Sequence, residues 1–222
     1  MIWPQYKFIS GDRAKSMYPT EYIFDKAERI LRTGGIVIAP TETFYAIVAD
    51  PFQEAAVRRI FSIKSRKKDK PLPLIAVDVA VVKGIIQPEQ RLAHRMMDRF
   101  WPGSLTMVME PSRSFSELLT GSGGKIGVRV PPWCPARMLA ARVSGLVTAT
   151  SANLSGDPDP AEVSVISSAV REGVDLVLDL GPTPGGRPST VVEVLDGTIR
   201  ILRQGAIPET ALMEFVEQHG RR

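Results

Sequence analysis

Residues 21–40 read EYIFDKAERILRTGGIVIAP, and this stretch decides the fold class. In its first half Ile23, Ala27, Ile30 and Leu31 recur at helical spacing, which predicts a helix over about 21–33 that Gly34 or Gly35 stops. The second half, Ile36-Val37-Ile38-Ala39, is short, apolar and β-branched, as a strand buried on both faces should be. That strand ends at Pro40, and a helix feeding a doubly buried strand is the unit of an α/β fold.

Outward from this unit the pattern repeats. Strand-like runs lie at Pro73–Val77, Leu105–Met109, Ile126–Val130, Leu146–Ala149, Leu176–Asp179 and Thr190–Val194. Helical stretches are predicted at Glu54–Ile63, Gln90–Phe100, Ala136–Val143, Val163–Glu172 and Glu209–Gln218. Asp196-Gly197, between Val191–Leu195 and Thr198–Leu202, is a hairpin signal, so an antiparallel pair joins the sheet. The expected fold is therefore α/β, with a twisted, open, mixed β-sheet flanked by helices. No repeat or linker divides the 222 residues, which predicts one domain over 1–222 with a core of about 23–207.

Composition narrows the function classes. The formal net charge is +4, with 28 Lys+Arg against 24 Asp+Glu, too little to coat nucleic acid broadly. Where the cations sit matters more than their sum. A lone Cys134 excludes an internal disulfide, and His94 and His219 lack metal-ligand spacing, which argues against protein-ligated zinc or iron. The start, MIWPQYKFIS, has no basic-then-apolar leader and no run approaches a membrane span, so a soluble, cytoplasmic protein with no membrane contact is expected.

Polar loops follow several of the strand ends, where ligands bind in open α/β sheets. Thr41, Glu42 and Thr43 follow the first strand; turn chemistry alone could account for the threonines. Lys64, Arg66, Lys67, Lys68 and Lys70 crowd one segment, read either as a solvated loop or as a polyphosphate clamp. Ser151, Asn153 and Ser155 in TATSANLSG suit a cap or Asx turn, yet also allow close ligand approach. Arg129 lies inside an apolar strand and needs an anionic partner, a protein carboxylate or a ligand. GSGGKIG over 121–127 lacks phosphate-loop spacing and reads as a turn. Trp101, Met96 and Met97 read as core.

Taken in order, GGIVIAPTETFYAIVADP, IFSIKSRKKDKPL, FWPGSLTMVM, GKIGVRVP, TATSANLSGDPDP, GPTPGGRPSTVVEV and RILRQGAI resemble the YrdC family of threonylcarbamoyl-AMP synthases, in its single-domain form. The resemblance implies helices and a twisted sheet around a deep basic cavity. It implies a nucleotidyltransfer that joins L-threonine, bicarbonate and ATP, with Mg²⁺, into threonylcarbamoyl-AMP for tRNA modification. By that resemblance Lys64 and Arg66 are the catalytic cations, with Lys70, Thr106, Ser151, Asn153, Ser189 and Arg203 around the nucleotide. Thr41 and Arg129 would hold threonine. It also implies contact with tRNA-modification partner proteins, and a concave basic rim would allow contact with tRNA or double-stranded RNA.

Three departures stand out. Ala46-Ile47-Val48 replaces Gly-Leu-Gly, Lys67 replaces a proline, and Pro158-Asp159-Pro160-Ala161 replaces Pro-Ser-Pro-Thr, bringing the Asp159 carboxylate near the nucleotide. Two other readings fit the same residues: an RNA-binding module using the basic rim, and a paralogue that pairs a nucleotide with a different substrate.

Overall fold

The computed structural model describes residues 20–67 and 69–220. The residues read above for a leader, and Lys68 of the basic run, lie outside the described residues. In chain order the elements are α1 (Thr20–Arg32), β1 (Val37–Pro40), β2 (Tyr45–Val48), α2 (Glu54–Ile63), β3 (Leu74–Ala76), α3 (Val79–Lys83), α4 (Arg91–Phe100) and β4 (Leu105–Met109). There follow α5 (Glu117–Thr120), β5 (Ile126–Arg129), α6 (Pro135–Arg142), β6 (Leu146–Thr148), β7 (Thr150–Ser151), α7 (Ser168–Glu172), β8 (Leu176–Val177), β9 (Thr190–Val194), β10 (Ile199–Arg203) and α8 (Glu209–His219).

The strands divide between two mixed, open sheets instead of the one the sequence predicted. One has the order β7-β2-β1-β8 and the other β10-β9-β4-β5-β3-β6. The chain switches sheets at Ala149, whose N–H donates to Pro73 O (2.8 Å), one residue after Thr148 N–H donates to Ala49 O (2.9 Å). In the first sheet β1 pairs antiparallel with β2 and parallel with β8. In the second, β4 runs parallel to β9 and antiparallel to β5.

The doubly buried first strand is as expected. Ile36, Ile38, Tyr45 and Ile47 enter one core with α2 and α4, while Val37, Ala39, Ala46 and Val48 enter another with α1 and α6. This two-faced alternation is the pleat period of two, and each large apolar side chain so buried contributes about 1.5–3 kcal/mol. Met96 and Met97 are fully buried, and Trp101 is buried with its indole N–H donating to Leu105 O (2.7 Å). The hairpin forms around Gly197, at φ +68°, with Val194 opposite Ile199. No helix among the described residues is long and apolar enough to cross a membrane.

Other details differ. The helix predicted at Val163–Glu172 is a 3₁₀ turn over Val163–Val165 followed by α7, because Ile166 is extended and the Ser167 hydroxyl starts a new helix by accepting from Val170 N–H. The ladder at Leu176 stops at Val177, although Leu178 N–H still donates to Ile38 O (2.8 Å). β2, which the sequence reading did not assign, makes the PTET loop after the first strand a hairpin turn. β7, α3 and α5 were too short to carry a readable period.

Candidate active site between the sheets

A cavity of about 320 Å³ opens between the two sheets. The four-stranded sheet and its loops supply Thr41, Thr43, Tyr45, Thr150, Ser151 and Asp159. From the six-stranded sheet come Thr106, Lys125, Arg129, Ser189 and Arg203, and Arg66 enters from the segment after α2. Four cations and one carboxylate thus share one recess.

Each cation is placed by local chemistry. The end of α2 is a Schellman turn: Ser65 sits at φ +48°, Ser65 N–H donates to Ser62 O (3.2 Å) and Arg66 N–H to Phe61 O (2.9 Å). Serine pays for a left-handed conformation that glycine adopts freely, and the turn swings Arg66 into the cavity. The Arg66 guanidinium is then fixed by backbone oxygens, Nε to Lys70 O (2.7 Å) and Nη2 to Pro71 O (3.1 Å). Arg203 is fixed similarly, donating to Ser189 O (2.9 Å) and to Ser189 Oγ (3.2 Å). Gly205 lets this segment approach: a Cβ there would lie 2.3 Å from Pro188 O. The Ser189 hydroxyl in turn bonds Thr106 Oγ1 (2.9 Å) across the strands. Burial lowers the pKa of both arginines, that of Arg66 further through Arg203, without removing their charge. Among the described residues neither arginine forms an ion pair.

Arg129 and Lys125 differ in having carboxylates. The anionic partner demanded by Arg129 is a protein carboxylate, Glu42, at the tip of the β1–β2 hairpin. Glu42 Oε1 also accepts from Ser104 Oγ (3.4 Å), while its buried Oε2 has no hydrogen-bond partner among the described residues. Lys125 pairs with Glu193 (3.0 Å) and Glu110 (3.7 Å). Sequence reasoning missed Lys125, although Lys125, Gly127 and Arg129 alternate along β5 and its approach, which puts all three on one face.

Lys64 is 1% exposed and does not line the cavity. Its ammonium donates to Ser151 O, Asn153 O (2.6 Å) and Asn153 Oδ1 (2.9 Å), so it fastens the Ser-Ala-Asn loop. Burial above all, then Arg66, pulls its pKa down to about 8. Ser151 reaches the cavity and donates to Asn153 Oδ1 (2.6 Å), whereas Asn153 stands behind it. Lys70 is exposed and lies outside the lining. The Thr41 hydroxyl closes the hairpin turn, donating to Phe44 O (2.8 Å) and accepting from Thr43 N–H (3.2 Å), so turn chemistry operates where Thr41 also lines the recess.

The arrangement gathers hydroxyls and two guanidinium groups without an ion pair among the described residues, Arg66 and Arg203, from segments far apart in sequence, as a phosphate-rich ligand requires. A sequence model of the Sua5/YciO/YrdC family, described as telomere recombination, matches residues 29–205. The chain belongs to the Sua5/YciO/YrdC family. Within the family, a Methanocaldococcus jannaschii protein named putative threonylcarbamoyl-AMP synthase is 32% identical over 186 residues, 84% of this chain and 87% of that protein. The threonylcarbamoyl-AMP synthase of Chromobacterium violaceum is 31% identical over 87% of this chain and 99% of its own. The crystal structure of P. abyssi Sua5 complexed with L-threonine matches with a TM-score of 0.82 at 29% identity, over 90% of this chain. This chain spans 58% of that larger one. These family names support the synthase reading and not the RNA-binding alternative.

Proposed function

We propose that this chain is a threonylcarbamoyl-AMP synthase, a nucleotidyltransferase working on L-threonine, bicarbonate and ATP in the cytoplasm as one domain. The observation that carries the reading is the single recess joining Arg66, Thr106, Arg129, Ser151, Ser189 and Arg203 from both sheets. Its product would serve tRNA modification through partner proteins that accept the adenylate.

The chemistry needs no protein nucleophile. Threonine's amine takes up carbon dioxide from bicarbonate as a carbamate, with loss of water. A carbamate oxygen then bonds to the α-phosphorus as the bond from that phosphorus to the bridging oxygen breaks, releasing pyrophosphate. Both reactants are anions, so the enzyme's task is to hold them together in line. Arg66 and Arg203, which carry no protein carboxylate, clamp phosphate oxygens as their charge grows. Arg129 takes the threonine carboxylate beside Glu42, and Thr41 borders the same end. A site that hydrogen-bonds the threonine hydroxyl rejects analogues lacking it. Lys64 acts through the loop it fastens, keeping Ser151 turned to the nucleotide. Lys70 would reach the triphosphate only from the rim.

Mg²⁺ would supply charge neutralisation on the phosphates. The lining fits it: the available donors are hydroxyls and one carboxylate, with no thiol or imidazole among them.

Incubation with ATP, threonine and bicarbonate should release pyrophosphate and form threonylcarbamoyl-AMP, dependent on both co-substrates. A folded sample that yields neither product would sink this reading.

A further inference from the structure

Among the described residues Asp159 is the one carboxylate that lines the cavity. Among the described residues it makes no ion pair, and its one hydrogen bond is a long one, accepted from Asn153 Nδ2 at 3.4 Å. Its backbone is nevertheless held in place. Pro160 O accepts from Tyr45 N–H (2.9 Å), Asp157 N–H donates to Leu154 O (3.1 Å), and Ser155 N–H donates to Lys64 O (3.0 Å). A carboxylate with one long hydrogen bond, and no ion pair among the described residues, is therefore presented to the recess by a fixed loop. It is near enough to Arg203 and Lys64 to favour their charged forms, so it shares the phosphate end of the cavity.

A carboxylate facing a polyphosphate repels it, and that repulsion works against the arginines beside it. A divalent cation between the two anions converts repulsion into a bridge. Mg²⁺ characteristically keeps several waters and takes one or two protein carboxylates together with substrate phosphates. One carboxylate suffices, and one is present.

We infer that Asp159 is the protein ligand of a divalent-cation site that forms only when the nucleotide triphosphate is bound, making nucleotide uptake by this chain metal-dependent. The inference rests on the nucleotide reading above. It also gives meaning to a departure from the family pattern, where serine stands in place of Asp159. A serine neither repels a free triphosphate nor binds Mg²⁺ strongly. This chain would thus discriminate between metal-bound and metal-free ATP where a serine-bearing relative would not.

The test is nucleotide binding to the whole chain by calorimetry, with ATP alone and with ATP plus Mg²⁺, in the absence of threonine and bicarbonate so that no turnover intervenes. The wild type should bind ATP at least about tenfold more tightly with Mg²⁺ present. Asp159→Asn should bind ATP alone more tightly than the wild type does and should lose most of the gain from Mg²⁺. With Mn²⁺ as a paramagnetic probe, the wild type plus ATP should immobilise more Mn²⁺ than ATP alone does, and Asp159→Ser should abolish the excess. Equal weakening of ATP binding by Asp159→Asn with and without metal would assign the carboxylate to a ribose or base hydroxyl or amine and overturn the inference. So would an Asp159→Asn effect confined to threonine binding, or wild-type ATP binding that is indifferent to Mg²⁺. Failure of the wild type to bind ATP under any condition would instead defeat the synthase reading itself.

Discussion

The two walls of the cavity are chemically unlike. Among the described residues the four-stranded wall offers hydroxyls, Thr41, Thr43, Thr150 and Ser151, and the Asp159 carboxylate, but no cation. The six-stranded wall carries Lys125, Arg129 and Arg203, and Arg66 enters beside it. The first wall is assembled by turns and a buried lysine that fix loops; the second presents charge from strands, where alternation aims it. Under the proposed function, anion binding falls to one sheet and orientation to the other. Substitutions should separate accordingly, losing rate on one wall and order on the other.

The largest effect should come from the two arginines that lack a protein carboxylate. Arg66→Ala or Arg203→Ala should lower turnover about 10²- to 10³-fold, the range for removing one preorganised donor at a developing charge. Both guanidinium groups bond only backbone oxygens or Ser189 Oγ, so thermal melts should change little. Wild-type rates of pyrophosphate release in both variants would dissolve the distinction between the walls.

Next in size is the pair that ties the walls together, Arg129 with Glu42. Both side chains are about nine-tenths buried, so removing one charge strands the other. Glu42→Gln should cost about 3 kcal/mol in urea unfolding, and adding Arg129→Met should recover much of it. The double variant should stay inactive on threonine while regaining stability, which separates the structural from the proposed substrate-binding use of Arg129. Additive losses would show that the pair contributes nothing as a pair.

The walls also differ in how legible they were. Short apolar runs such as Ile36–Ala39 and Leu105–Met109 announce strands, and Arg129 inside such a run announces a charge with a partner. Asp196-Gly197 announces a hairpin through its left-handed glycine. The four-stranded wall was harder to read. β2 and β7 have four and two residues, too few for a period, and they decide that there are two sheets. Lys64 and Glu42 depend on contacts 87 to 89 residues away, and Asp159 on lining a cavity that distant segments close. Sequence spacing carries no record of such distances. Lys64 shows the limit well, since the same basic run contains one lysine that is buried and one, Lys70, that is exposed.

The smallest effect should be that of pH on Lys64, and its sign separates loop order from stability. At neutral pH the ammonium uses three protons on three acceptors, and its pKa of about 8 means that the group becomes neutral just above physiological pH. A neutral amine keeps two protons, so one bond to the Ser151–Asn153 loop is lost, worth about 1 kcal/mol, or roughly fivefold in rate by pH 9. Lys64→Arg, charged throughout, should flatten that limb of the profile. Stability should move the other way. The folded pKa is lowered below the ordinary 10.5, so between about 8 and 10.5 the unfolded chain holds more protons and this group's contribution to stability rises with pH. A fall in activity with rising resistance to urea over pH 8–9 would thus come from the loosened loop of the hydroxyl wall. A fall in both together would place the lost activity in general unfolding and remove Lys64 from the account.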